Sequence, residues 1–455
     1  MNSWRMPHPI LMMVAIIMVA VALTYVVPSG LFDRSSSGLV TPGSYHEIAK
    51  LYSWSGVLGL QPALPGTAAP ASLLSIATAI PAGMLSQAGL IFMILFIGGM
   101  FGVLRETNAL DAGIERLLIL TGGRVHVLAP IIMMVISAGG SFLGLISEYL
   151  VIIPMVVALA ARLGLGPLFA TALVTVAAKI GFLASVTNPA PLLIGQTILG
   201  LPIFSGSGLR LAVYLLFMPI GILYVLRLAK GATYVPPAGE ATHRLSVPHI
   251  ATLLTLVAAV VLIIHGAGNW SRETLSTFYL FLSAVIALIN RLPGDHAAEA
   301  FLTGMKNMVL AGILVGLAGA VEYVLKTGLV LDTIVNAMTS LAEHLPTVFV
   351  AQSLVVIEMI FDVLIPSTSG KAAVSLPILG PIAQLSGVSG QTTMLAFLFG
   401  NGLTNMVTPT SGMLLAFLAT GGVSYSAWMR FVLPLFALLT LLSLLLIAVA
   451  AVIGY

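Results

Sequence analysis

No cysteine occurs in the 455 residues, which excludes disulfides, thiolate metal centres and iron–sulfur clusters but leaves the compartment open. Charge is nearly as scarce. Asp, Glu, Lys and Arg make up 7% of the chain, against about 25% in an average soluble domain. So little charge cannot keep a surface of this size in water, which excludes a soluble enzyme, a DNA-binding protein and a disordered chain. The basic residues are dispersed in short loops, so the pI near 9.1 marks no nucleic-acid partner. Enzyme signatures are missing too: no His-Glu-x-x-His, no Gly-x-Ser-x-Gly and no ATP-binding loop occurs, and Ser147 beside Glu148 lacks a base partner. The eight His show no metal-ligand spacing.

What is abundant is apolar sequence, at 59% of residues with a mean hydropathy of +1.11. This composition predicts an all-α polytopic membrane protein. Apolar runs fall at Ile10–Val27, Pro81–Leu104, Val127–Ala160, Phe169–Ile198, Leu209–Leu228, Ile250–His265, Thr277–Ile289, Asn307–Leu325, Val348–Leu385, Thr392–Ala419 and Trp428–Ile453. About 20 apolar residues cross a bilayer. Val127–Ala160 and Val348–Leu385 are longer, and polar, helix-breaking residues interrupt both: Ser137–Ser141 with Ser147-Glu148, and Pro366-Ser-Thr-Ser-Gly-Lys371. Such breaks survive at membrane depth only beside protein or a wet cavity, so both runs are expected to be re-entrant helical hairpins. With the N-terminus cytoplasmic, eleven of the 18 Lys and Arg fall at inner ends and five at outer ends, leaving Lys179 and Lys371 within the membrane; the bias fits the positive-inside rule. The expected organisation is a first span with an outer segment of short amphipathic pieces (1–80), a first repeat (81–229), a cytoplasmic linker with linking helices (230–305) and a second repeat (306–455). Lys230–Arg244, with Pro236 and Pro237, is the linker proper.

The two halves share a pattern. Glu148 is followed by Pro154, Gly164, Thr171, Gly181 and Ser185-Val-Thr-Asn-Pro189; Lys371 is followed by Pro377, Gly387, Thr393, Asn401 and Asn405-Met-Val-Thr-Pro409. Successive intervals agree to within two residues. The sidedness makes this an inverted-topology repeat, an arrangement common in secondary transporters. Each half carries one hairpin and one helix broken at a Ser/Thr/Asn-Pro turn. Pro189 and Pro409 free backbone carbonyls. Those carbonyls, with Ser185, Thr187, Asn188, Thr404, Asn405 and Thr408, suit a cation or hold a carboxylate, and both following half-helix N-termini are expected to offer N–H groups to anions. The plainer alternative is a polar kink that glues the helix to its neighbours.

These residues carry a family resemblance. Ile365-Pro-Ser-Thr-Ser-Gly-Lys-Ala372 and Ala396-Phe-Leu-Phe-Gly-Asn-Gly-Leu-Thr-Asn-Met-Val-Thr-Pro-Thr-Ser-Gly412, together with Phe142–Phe204 and Val26–Tyr45, resemble the YfcC family, close to the DcuC-type C4-dicarboxylate carriers of the ion transporter superfamily. The resemblance covers essentially the full length. It implies two inverted repeats, an elevator-type transport domain sliding on a scaffold, usually a homodimer, and carboxylate-bearing cargo driven by a cation gradient or by exchange. It also draws Ser367, Thr368, Ser369, Thr410 and Ser411 into the candidate binding set. Asn401 stands where the family is expected to have Asp, Lys371 where a neutral polar residue is usual, and Lys179 where a small or apolar one is.

Charges at membrane depth are costly and usually face a cavity or each other; here they are Glu148, Lys179, Glu358, Asp362 and Lys371. Either lysine could neutralise a substrate carboxylate or fill a sodium position, and Glu148 could take up a coupling proton. Against these, Lys371 could form an internal ion pair with Glu148 or Asp362. Glu358 and Asp362, four apart, could sit at a wet membrane edge, and Glu322–Lys326 reads as an interfacial pair. A sodium ion is expected, if anywhere, near Ser185, Asn188 and Asn405; no other cofactor is implied. The leading reading is a non-enzymatic secondary transporter in the inner (plasma) membrane, carrying an amino acid or C4-dicarboxylate. A short-chain monocarboxylate or fatty-acid carrier is the alternative, and a channel is disfavoured because two unlike tips close over one midplane site.

Overall fold

The structure, a computed structural model, describes residues 9–36, 40–41, 43–58, 66–113, 116, 122–232, 246–266, 271–340 and 345–455. From residue 233 on, the expected linker lies outside the described residues. The elements are α1 (Pro9–Val26), β1 (Ser29–Leu31), β2 (His46–Ile48), α2 (Trp54–Val57), α3 (Leu73–Ser86), α4 (Ala88–Glu106), α5 (Val125–Ala138), α6 (Ile152–Arg162), α7 (Pro167–Ala184), α8 (Pro189–Ile198) and α9 (Ser207–Leu226). They continue as α10 (Val247–Gly266), α11 (Arg272–Ile289), α12 (Gly294–Thr327), α13 (Leu331–Ser340), α14 (Thr347–Leu364), α15 (Thr368–Leu385), α16 (Gly390–Thr404), α17 (Gly412–Thr420) and α18 (Tyr425–Val452). Among the described residues, eight helical segments are long and apolar enough to cross a membrane, with α7 and α8 counted as one.

The helices pack in two groups. In the first, α1, α3 and α4 lie along α12, and α11 packs on α4. The 34-residue α12 is about 50 Å long at 1.5 Å per residue, well beyond a hydrocarbon core of about 30 Å. It starts thirteen residues before the apolar run that signalled it, and the added turns carry Glu299 and Lys306. The second group interleaves the halves: α5, α6 and α9 surround α7, α14 and α18 flank α16, and α7 packs against α16. Both α7 and α16 are buried on every side over most of their length. They cross closely, since a Cβ at Gly402 would stand 2.6 Å from Leu183 Cα.

Three expectations change. The chain is not wholly helical: β1 pairs antiparallel with β2, so the outer segment is no set of loose amphipathic pieces. It is pinned to the first group by Gly30 N–H to the Leu329 carbonyl (2.9 Å) and by Phe32 N–H to Asp332 (3.1 Å). Its expected end at residue 80 falls inside α3. The first long run is interrupted at both of the places expected, by a π-turn at Gly139–Leu143 and a 3-10 turn at Ser147–Leu150. The wet-edge alternative fails outright, because Glu358 and Asp362 are buried at 1% and 0% exposure.

Candidate functional site

Each half runs through the same element order: two helices joined by a polar tip, a glycine turn, a long helix, a break and a half-helix. Gly164 and Gly387 both take positive φ (+68° and +78°) at the turn leading into α7 and α16, a conformation that disfavours any side chain. The tip of each hairpin meets the other half. Ser147–Leu150 packs on α17, and α15 packs on α8 through Leu192, Ala372 and Leu376.

At the first break α7 ends at Ser185 in the left-handed conformation. Ser185 donates to the Phe182 carbonyl and accepts from Asn188 Nδ2 (3.1 Å). Ser141, on the π-turn, takes the Val186 N–H on its hydroxyl (3.1 Å) and the Thr187 N–H on its carbonyl (3.1 Å). Thr187 Oγ1 donates to the Phe142 carbonyl (3.1 Å). The Val186 carbonyl accepts the buried Arg210 guanidinium at 3.1 and 3.3 Å, a cation placed where the α7 dipole is negative. The half-helix α8 offers no spare donor. Pro189 and Pro191 have no N–H, Ala190 N–H is capped by Asn188 Oδ1 (3.0 Å), and Leu192 N–H reaches the Asn188 carbonyl (3.4 Å). The expectation that both half-helices present N–H groups is thus corrected for the first: Asn-Pro-Ala-Pro removes or caps every donor of its opening turn.

The second break differs. Its freed carbonyls are taken by α18, Met406 by Trp428 Nε1 (2.8 Å) and Val407 by the Tyr425 hydroxyl. Thr404 Oγ1 donates to the Met359 carbonyl (3.2 Å), and Thr408 and Thr410 bond to each other (2.8 Å). Ser411 caps α17 by accepting the Leu414 N–H and donates to Asn405 Oδ1 (2.6 Å). The opening N–H groups of α17, at Gly412 and Met413, have no acceptor within their own helix. Both residues are partly exposed, as is Asn405. Gly412 faces Val315 of α12, so this helix end lies on the seam between the two groups.

Behind the second break sits a buried ion cluster. Lys371 Nζ stands 3.2 Å from Asp362 Oδ1 and 3.4 Å from Glu358 Oε2, and 4.7 Å from the Phe397 ring centroid. Asp362 Oδ2 accepts from Asn405 Nδ2 (2.7 Å), and Asn405 Nδ2 also reaches Asn401 Oδ1 (2.8 Å). Asn401 Nδ2 donates to Thr368 Oγ1 (3.0 Å), tying α16 to the hairpin tip. Ser367 caps α15, while Ser369 is exposed. Lys179, buried on α7, adds its charge to the field at Asp362. Lys371 therefore pairs with Asp362 and not with Glu148. Glu148 instead accepts the Ile146 N–H (2.9 Å) and lies within electrostatic range of Tyr279 on α11, whose buried hydroxyl has no hydrogen-bond partner among the described residues. Glu322 and Lys326 form the expected pair at 2.7 Å.

The structure thus joins Thr368, Lys371, Asn401, Asn405 and Ser411 into one network with Asp362, and Ser185, Thr187 and Asn188 into another with Ser141. The three oxygens named for sodium each already accept a hydrogen bond: Ser185 from Asn188, Asn188 from Ala190, and Asn405 from Ser411. Ser141, Arg210, Tyr279, Tyr425 and Trp428 were not singled out from the sequence. Ser141 is read from the sequence only as the end of the polar break Ser137–Ser141, and nothing local says which break any of the five serves. A cavity of about 420 Å³, lined by Arg34, Lys326, Asp332, Ile365 and Gly370, opens beside the second hairpin tip; another of about 900 Å³, lined by Arg105, Ala158, His296, Asn307 and Thr420, lies along the seam.

The model of the C4-dicarboxylate anaerobic carrier family, DcuC, matches residues 6–452. Escherichia coli K12 YfcC, provisionally named a basic amino acid antiporter, is 26% identical over 100% of this chain and 98% of its own. An uncharacterised Haemophilus influenzae protein is 24% identical over 98% and 97%. Among solved structures, the Alcanivorax borkumensis YdaH transporter aligns with a TM-score of 0.45 at 15% identity, covering 99% of each chain. Neisseria gonorrhoeae MtrF, described among antimetabolite efflux pumps, aligns at 0.45 and 14%, over 98% of this chain and 96% of its own.

Proposed function

This chain belongs to the DcuC family of C4-dicarboxylate anaerobic carriers and is a multi-pass secondary transporter of that type, and we propose that its cargo is a small carboxylate bound at the open end of α17. The observation that carries this is the asymmetry of the two breaks. The half-helix α8 has no spare donor, whereas α17 keeps its first N–H groups beside Asn405 and Ser411. A carboxylate suits such a helix end. Neither lysine is the counter-charge, because Lys371 is held by Asp362 and Glu358 and Lys179 lies behind them.

Glu148, on the tip packed against α17, has no lysine partner. An amino acid therefore fits best, its carboxylate on α17 and its ammonium toward Glu148. A C4-dicarboxylate is the second reading, favoured by the family's description. The position of Gly412 against Val315 supports an elevator motion in which the second helix group slides along α12. Inverted repeats, a homodimer and an inner-membrane location with a cytoplasmic N-terminus complete the reading.

A thermal-shift screen of purified protein against L-amino acids and C4-dicarboxylates, with and without sodium, tests it. A ligand at 100 times its Kd stabilises by about 2.7 kcal/mol. A shift with at least one carboxylate, reduced by about half or more in Asn405→Ala, is the expected result. Shifts confined to cations or neutral compounds overturn the assignment, and a shift that requires sodium restores the sodium reading.

A further inference from the structure

We infer that Glu358, inside the α14–α15–α16 ion cluster, is the site that binds and releases a coupling proton. Two carboxylates converge on one ammonium there, and they are not equivalent. Asp362 uses one oxygen on Lys371 and the other on Asn405, so its charge is met on both sides. Glu358 is 1% exposed, touches Lys371 only at 3.4 Å with the Ser375 hydroxyl nearby, and among the described residues no well-formed hydrogen bond reaches either of its oxygens. Of the two carboxylates, Glu358 is thus the one whose oxygens remain open to a proton.

The helices α12, α15, α16 and α18 pack against α14, and no ionisable residue of α12 is among the groups that act on Glu358. Its own helix contributes Asp362 and α15 contributes Lys371 and the Ser375 hydroxyl; Lys179 reaches the cluster from α7 through Asp362. The helix α16 carries no ionisable residue and meets Glu358 at Gly400. Tyr425 and Arg430, the ionisable residues of α18, bond to the Val407 and Ser426 carbonyls. With all four side chains ionised, the two lysines balance the two carboxylates. Protonating Glu358 leaves one positive charge in excess behind the half-helix that takes the carboxylate. Loading the proton therefore favours loading the cargo, and losing it favours release. The linkage to cargo rests on the carboxylate reading above; the proton site does not.

The test is infrared titration of the substrate-free protein in lipid, following the carbonyl stretch of protonated carboxyl groups from acid to mildly alkaline pH. A titrating band that shifts on [13C]glutamate labelling, persists in Glu148→Gln and disappears in Glu358→Gln is expected. No titrating glutamate band, or one that vanishes in Glu148→Gln alone, overturns the inference, and the labelling arm needs no variant to fold. In proteoliposomes loaded with a pH-sensitive dye, Glu358→Gln should lower proton uptake accompanying transport of L-aspartate or succinate by about tenfold or more. A titrating Glu358 in a protein that moves neither compound contradicts the cargo reading and leaves the proton site standing.

Discussion

Lys371 Nζ and Asp362 Oδ1 lie 3.2 Å apart with both side chains fully buried, on helices joined only by the turn at Ile365–Ser367. The pair ties the two arms of the second hairpin together, and the other Asp362 oxygen hands the connection to Asn405 on the broken helix. Removing one partner strands a buried charge, which costs about 3–5 kcal/mol, while replacing both with apolar residues of similar volume is often neutral. Lys371→Met should accordingly lower stability by several kcal/mol, and the double variant Lys371→Met/Asp362→Leu should recover part of it, because Glu358 still lacks its lysine. Additive losses in a thermal unfolding cycle would show the pair to be two independent contacts.

Asn405→Ala removes the bond to Asp362 and the acceptor for Ser411 at once. It should weaken carboxylate binding by about tenfold or more, equivalent to ~1.4 kcal/mol. Asn188→Ala loses the cap on Ala190 and its bond to Ser185, which lowers stability without a comparable loss of affinity. Equal affinity losses at the two positions would mean that both breaks bind cargo.

Ser141→Ala and Arg210→Met act on the first break from outside its motif. Each strips a partner from residue 186, Ser141→Ala from its N–H and Arg210→Met from its carbonyl, and unsatisfied buried groups cost about 1–3 kcal/mol. Lower melting temperatures with unchanged affinity are expected. A loss of affinity at normal stability would move Arg210 into the binding site.

Glu148→Gln separates the two cargo readings. An amino acid should lose affinity by about tenfold or more, whereas a C4-dicarboxylate should bind as well or better once the negative charge is gone. Competition binding with both ligand types gives the ratio directly.

The absence of cysteine makes disulfide trapping clean. A Cβ at Gly412 would lie 3.2 Å from Val315 Cγ2 across the seam, so Val315→Cys/Gly412→Cys should cross-link on oxidation and stop transport until reduced. Undiminished transport with the cross-link complete would exclude sliding of α17 along α12.

Much of this was legible in the sequence, and the misses share a cause. The polar tips and the Asn-Pro and Thr-Pro breaks could be located because membrane depth tolerates few polar residues, so each stands out against an apolar run. The partners of those residues could not be read, because Arg210 and Trp428 come from helices 20 or more positions away. Asn-Pro-Ala-Pro at 188–191 held the asymmetry in plain view, since two of its four residues lack an N–H. Glu358 and Asp362 were ambiguous because a four-residue spacing fits a wet edge and a buried cluster equally; only the position of Lys371 decides between them.

Counterflow uptake in proteoliposomes, with L-amino acids and C4-dicarboxylates offered singly, tests most directly that the α17 end carries a carboxylate. The expected result is exchange of at least one such compound without sodium, needing about tenfold or more higher substrate in Asn405→Ala and unchanged in Asn188→Ala. Exchange with unchanged substrate dependence in Asn405→Ala, or a cargo without a carboxyl group, would contradict the assignment.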